Sequence, residues 1–444
     1  MSAWYDDCVF YHMYPLGMTG SPKENHSEQT IHRFQELMQW IPHIRTLNCG
    51  AIYIGPLFES GSHGYDTRDY KMVDRRLGDN NDFKEFVRLC HESGIKVVVD
   101  GVFNHTGREF FAFKDIQEKK WDSPYKDWYK GVNFSWGSPL GDPFSYESWQ
   151  GHAILPALNL CNPAVKSYLL EVVQFWTDEF DIDGIRLDCA NVLDFSFMQE
   201  LRQHTRAMKQ DFWLMGEVIH GDYSRWVNDQ MLHSVTNYEL HKSLYSGFND
   251  HNFFEIAHNV RRLESIGRDL YTFVDNHDED RIASKLRNKE HLFPIYLCLF
   301  TLPGIPSIYY GGEWAVTGQR TKWSDDELRP AISISDAASL HCKLTDQITM
   351  LAGIRSVEEA LHHGRYEELV LTNRQYAFAR HGHDSVIITV VNNDEQEASV
   401  TVPVPNHAVQ VTDLLSGTVI PIADNKLTIS LKPCGGTVLK AELG

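Results

Sequence analysis

The chain has 444 residues, 42% hydrophobic and 23% charged, which excludes a disordered chain, and its scattered 30 Gly and 17 Pro exclude a fibrous one. At ~150 residues per domain, the length suggests about three domains or one large barrel with additions. The 41 basic and 60 acidic side chains give a net charge of −19, which repels phosphate backbones and anionic lipid, so neither nucleic acid nor a membrane is an expected partner.

The N-terminal MSAWYDDCVFYHMYP has no basic stretch followed by an apolar one, so it does not read as a signal peptide. No apolar run reaches the ~18 residues of a membrane span, and the expected location is the cytoplasm. Short apolar runs then recur at Val9–Met13, Ala51–Ile54, Ile95–Val99, Gly184–Leu187, Phe212–Met215, Tyr271–Val274 and Ile305–Tyr309, with a weaker one at Ser234–Thr236. Parallel strands covered on both faces read this way. Amphipathic segments separate them. Phe83, Phe86, Val87 and Cys90 fall on one helical face, with Asn81 or Asp82 as the expected cap. Pro163 opens a second helix whose stripe is Tyr168, Leu169, Val172, Val173 and Trp176. Eight strands alternating with helices predict an α/β fold, a (β/α)8 TIM barrel formed by residues 1–104 and 163–364.

Residues 105–162, after the third strand, carry Trp121, Trp128, Trp136 and Trp149 with many turn signals and little helical periodicity. This predicts an inserted subdomain on the active face, its tryptophans more often core than platform. From residue 365 to 444 alternating strands and turns predict a C-terminal antiparallel β-sandwich. The eight cysteines form no C-x-x-C pair, and several sit in apolar runs, as Cys298 does, which suits reduced thiols acting as small hydrophobes.

Barrel chemistry sits where strands end at their C-terminal side. Those ends read VVVDGVFNH (Val97–His105), GIRLD (Gly184–Asp188), LMGE (Leu214–Glu217) and FVDNHD (Phe273–Asp278), so three ends deliver Asp188, Glu217 and Asp278 towards one axis. Carboxylates so close repel unless one keeps its proton, the asymmetry that separates an acid from a nucleophile in retaining glycoside hydrolysis. Arg186, two residues before Asp188, points to the same side of its strand and can orient that nucleophile.

These motifs, in this order, resemble glycoside hydrolase family 13, the α-amylase family, and HGYDTRDY (His63–Tyr70) and GIPSIYYGGE (Gly304–Glu313) extend the likeness over nearly the whole chain. The resemblance implies Asp188 as nucleophile, Glu217 as general acid/base and Asp278 as transition-state stabiliser. It implies that Arg186 orients the nucleophile, that His105 and His277 hydrogen-bond the ring at the cleaved position, that Tyr65 stacks beneath that ring, and that Asp325 and Arg329 form a further sugar-binding pair.

Within the family, LPALN (Leu155–Asn159), DCAN (Asp188–Asn191) and GEVIH (Gly216–His220) resemble the MPKLN, DVAN and GEIWH signatures of cyclomaltodextrinases, neopullulanases and maltogenic amylases, which adds Asn191 and His220 as substrate-binding residues. The implied activity is retaining hydrolysis of α-1,4 bonds, and of α-1,6 bonds as an extension, in maltooligosaccharides or cyclodextrins. Transfer to a sugar acceptor is the alternative within the family, and a non-catalytic binding subunit the alternative outside enzymes. Those relatives usually begin with a β-domain that helps form a dimer, whereas here the first barrel strand begins near residue 9, so both a monomer and a homo-oligomer remain open. Ala157 replaces their Lys, Ile219 their Trp, and Val192 stands where they often have Glu. No cofactor is required and no metal ligand is assigned. A structural calcium is the open alternative: Asn104 matches one ligand of the amylase site, but Val192 aligns with a His usual in calcium-dependent amylases.

Overall fold

The computed structural model describes residues 3–444, and every apolar run expected to be a parallel strand is one, with ends shifted by at most a residue or two. The strands are β1 (Phe10–Met13), β2 (Ala51–Ile54), β3 (Lys96–Gly101), β4 (Gly184–Leu187), β5 (Trp213–Gly216), β6 (Ser234–Val235), β7 (Tyr271–Phe273) and β8 (Ile305–Tyr309). They pair in parallel in the order β6-β5-β4-β3-β2-β1-β8-β7, and a parallel bridge between Thr236 and Tyr271 closes the ring into a (β/α)8 barrel.

Alternate residues of each strand face inward. Phe10, Ala51, Tyr53, Val98, Trp213, Met215, Tyr271, Phe273 and Ile305 form one buried cluster, and Trp4 and Tyr5 pack against it. Gly184 belongs at this level because a Cβ there would stand 2.6 Å from the Trp213 carbonyl oxygen. One step towards the C-terminal ends, Asp100 and Arg186 pair across β3 and β4, and the next inward position after Arg186 is Asp188.

Helix α1 (Asn80–Glu92) buries Phe83, Phe86, Val87 and Cys90, the face expected. Its cap is Asp79 rather than Asn81 or Asp82. The Asp79 carboxylate accepts from the N–H groups of Asn81 and Asp82, and the Asp82 carboxylate accepts in return from the N–H of Asp79. The helix begins ahead of its first apolar residue, so periodicity places the start too late. The inserted segment holds a helix that periodicity missed, α2 (Phe111–Lys119), whose buried face is only Ala112, Phe113 and Ile116. Phe113 packs its ring against Tyr129, Phe144 and Tyr146. Of the tryptophans expected in its core only Trp128 is buried; Trp121 and Trp136 are 66% and 70% exposed. Helix α3 (Pro163–Phe180) starts as expected, with Asn162 accepting from the N–H of Ala164.

After the barrel come β9 (Arg365–Leu371), β10 (Gln375–His381), β11 (Ser385–Asn392), β12 (Ala398–Pro403), β13 (Ala408–Asp413), β14 (Val419–Ile420), β15 (Lys426–Leu431) and β16 (Gly435–Leu443). Six form an antiparallel sheet in the order β9-β10-β11-β16-β13-β14, and β12 and β15 form a ribbon. Val400, Val402, Leu427, Ile429 and Leu431 of the ribbon pack on Ala377, Ile388, Val390 and Leu439 of the sheet, so the sandwich is lopsided. A buried arginine ties this region to the barrel: Arg380 donates to the carbonyl of Thr301 at 3.1 Å.

Candidate active site

Strand register does most of the assembly. Asp188 and Glu217 lie just past β4 and β5, where the N–H of Asp188 still donates to Gly101 and that of Glu217 to Leu187. Both side chains therefore continue the inward rows. Arg186 sits below them, buried, and its guanidinium reaches Oδ1 of Asp188 at 2.9 Å, Oδ1 of Asp100 at 3.0 Å and Oε2 of Glu217 at 3.1 Å. One guanidinium thus fixes three carboxyl groups. An oxygen of Asp188 lies within 4.8 Å of an oxygen of Glu217.

Two of the strand-end carboxyls, Glu217 and Asp278, are set apart electrostatically. Burial pushes Glu217 up to about 7, and the neighbouring Asp188 and Asp278 add to this against the pull of Arg186. Burial would raise Asp278 too, but the His277 imidazole at 2.9 Å and Arg329 at 3.0 Å hold it well below the usual carboxylate range. An acid that keeps its proton near neutrality thus faces a carboxylate that does not.

The walls of the cleft, about 490 Å³ in volume, include Tyr65, His105, Trp149, Asp188, Glu217 and Asp278. Tyr65 lies parallel to His277, with ring centroids 5.8 Å apart, and its hydroxyl meets His277 Nε2 at 2.6 Å. Tyr14 also lies parallel to His277, at 5.7 Å; sequence reasoning passed over it although it directly follows β1. Burial keeps the His105 imidazole neutral, and its Nε2 has no protein partner. Asp325 and Arg329 pair at 2.7 Å and both line the cleft.

Two expected residues are placed differently. Asn191 lines a side pocket beyond Glu217 rather than the main cleft. His220 is exposed and joins neither wall; its neighbour Ile219 lines both. Trp149 also lines both, so it is a cleft residue rather than core. Cys189, expected to be a bland thiol, lines the cleft as well, with its N–H donated to Oε2 of Glu217 and its thiol 3.2 Å from Oδ2 of Asp188.

A calcium at Asn104 would depend on the donors around that residue. The residues sharing a pocket with it include Lys130, an ammonium, and Val192, an isopropyl group, and its own side-chain nitrogen is 3.1 Å from Nδ1 of His105. A hard cation needs six to eight oxygens, so this donor set does not fit one.

Residues 25–339 match the family described as the α-amylase catalytic domain, and residues 366–437 match the maltogenic amylase C-terminal domain. A cyclomaltodextrinase from Thermoanaerobacter pseudethanolicus is 32% identical over 417 residues, covering 89% of this chain and 71% of that protein. Among solved structures, one named cyclomaltodextrinase superposes with a TM-score of 0.89 at 26% identity, covering 99% of this chain and 78% of that one. The cyclic α-maltosyl-(1→6)-maltose hydrolase of Arthrobacter globiformis superposes with a TM-score of 0.84 at 25% identity, and each chain covers the other in full.

Proposed function

The chain belongs to the α-amylase family of glycoside hydrolases, and from that premise we propose that it is a retaining α-glucan hydrolase cleaving α-1,4 bonds of maltooligosaccharides or cyclodextrins. Extension to α-1,6 bonds rests on the Arthrobacter globiformis neighbour, whose named substrate carries that linkage. The observation that carries the reading is the approach of Asp188 and Glu217, with oxygens within 4.8 Å of each other. Inversion needs carboxyl groups ~6.5–9.5 Å apart to admit water on the far face, whereas retention works at ~5–5.5 Å.

In this mechanism Glu217, protonated to about pH 7, gives its proton to the glycosidic oxygen while Asp188 attacks the anomeric carbon. The C–O bond to the leaving sugar breaks as the ester to Asp188 forms. Esterification removes the charge of Asp188, so Glu217 becomes a stronger acid and its carboxylate can accept a proton from the attacking water. Asp278, kept ionised by His277 and Arg329, offsets positive charge building on the ring carbon. Tyr65 is the platform under that ring. His105, neutral with a free Nε2, and His277 hold its hydroxyls, and Asp325 with Arg329 hold the next sugar.

The eight free cysteines support a reducing compartment, the cytoplasm, and no helix among the described residues is long and apolar enough to cross a membrane. The test is product chromatography with maltotriose. Asp188→Asn and Glu217→Gln each lose several orders of magnitude in turnover, with far-ultraviolet circular dichroism unchanged, and the first-formed sugar is the α-anomer by NMR. Near-normal turnover in either variant, or a β-anomer, overturns the reading.

A further inference from the structure

Beyond Glu217 the cleft opens into a side pocket of about 250 Å³ whose walls include Lys130, Glu147, Ala157, Asn191, Val192 and Ile219. The first three come from separate stretches of the inserted segment, joined in a closed circuit of main-chain hydrogen bonds. The N–H of Lys130 donates to the carbonyl of Ala157, that of Ala157 to Glu147, and that of Glu147 to Lys130, each at 2.9 Å. Gly131 permits the approach: its φ is +65° and a Cβ there would stand 2.9 Å from Cγ of Glu147. Backbone bonds alone therefore fix where these side chains enter the pocket.

Lys130 is half-buried, yet among the described residues its ammonium has no hydrogen-bond or ion-pair partner, although Glu147 lines the same pocket. Lys96 and Lys209, half-buried too, both pair with Asp183. An ammonium is only a donor, and a carboxylate is only an acceptor. A hydroxyl is both. Two opposite charges that share a pocket without meeting suit a neutral polyhydroxy ligand, whose hydroxyls accept from one and donate to the other. An anion would be opposed by Glu147 and a cation by Lys130.

We infer that Lys130 is a specificity-determining residue for the sugar on the leaving side of the scissile bond, where its ammonium donates to a hydroxyl. The side follows from Glu217, which lines both this pocket and the main cleft and as the acid must face the leaving oxygen. Asp278, Asp325 and Arg329 line the main cleft instead, on the side of the sugar that is retained. The inference rests on the hydrolase reading and adds to it a residue that no strand-end motif contains.

The experiment compares wild type, Lys130→Ala, Lys130→Gln and Lys130→Arg on maltotriose and on 4-nitrophenyl α-maltoside, whose aryl leaving group carries no sugar hydroxyls. The readout is the ratio of kcat/KM on maltotriose to kcat/KM for nitrophenol release. Losing one charged hydrogen bond to the leaving sugar lowers that ratio about tenfold or more in the Ala and Gln variants, and Arg recovers most of it. The transfer-to-hydrolysis ratio at high maltose falls with it, because an acceptor sugar enters the same pocket. A ratio unchanged in the Ala and Gln variants overturns the inference, as does an equal loss on both substrates. A wild type inactive on both overturns the hydrolase reading instead.

Discussion

Replacing Asp188 by Asn removes the proposed nucleophile and also resets its neighbour. Glu217 is pushed up to about 7 by burial and by the charges of Asp188 and Asp278, against Arg186. With oxygens of Asp188 and Glu217 within 4.8 Å, one unit charge contributes ~3.5 kcal/mol at an effective dielectric of ~20. At ~1.36 kcal/mol per pH unit this corresponds to ~2.5 units before screening by water in the cleft. Removing a negative neighbour favours the charged form, so in Asp188→Asn the Glu217 carboxyl titrates lower and is ionised at neutral pH. The assay follows the ¹³C signal of the Glu217 carboxyl through a pH titration, assigned by its loss in Glu217→Gln. A midpoint within ~0.3 unit of wild type, or above it, refutes the reasoning. The same neutralisation occurs when Asp188 is esterified, so the variant reports the protonation state of the second half of the reaction.

Two further outcomes follow from contacts away from the catalytic carboxyls. Asp183, fully buried below β4, accepts from His91 at 2.7 Å, Lys209 at 2.8 Å, Lys96 at 3.0 Å and the Val97 N–H at 3.0 Å, contacts that outweigh burial and hold it well below the usual carboxylate range. Asp183→Asn costs about 3 kcal/mol in urea denaturation. Because the folded-state value is depressed, the contribution is present above the unfolded value of ~3.9 and lost as pH falls below it, so wild type loses stability in that acid window while the variant has a flatter profile. A variant whose denaturation midpoint tracks wild type through the window refutes this. Chelation by EDTA leaves turnover and melting temperature unchanged, since the donors around Asn104 do not suit calcium; a loss that added calcium restores refutes it.

Most of the barrel was legible because a strand buried on both faces has to be apolar throughout, and the polar residue that ends such a run has to be there for chemistry or capping. That logic found Asp188, Glu217 and Asp278. It did not reach Asp79, because a helix cap lies outside the periodic stretch that reveals the helix. It missed α2, whose buried face of Ala112, Phe113 and Ile116 spans little more than one turn and looks like loop. It could not sort the tryptophans of the insert, since Trp128 and Trp136 differ in packing partners rather than in local sequence. Tyr14 and Lys130 escaped for a related reason. One reaches the site by stacking on His277 and the other through main-chain bonds between distant stretches, and neither contact has a sequence period.

The circuit joining residues 130, 147 and 157 separates the frame of the insert from the side chains it carries. Its geometry is written in peptide groups, so side chains on the three stretches can be exchanged without moving the scaffold that carries them. The lysine of the MPKLN signature is absent at Ala157, while an ammonium stands on the adjoining stretch at Lys130. In this chain the ammonium thus stands one hydrogen bond across the frame from Ala157, at a place set by peptide groups and independent of the side chain there.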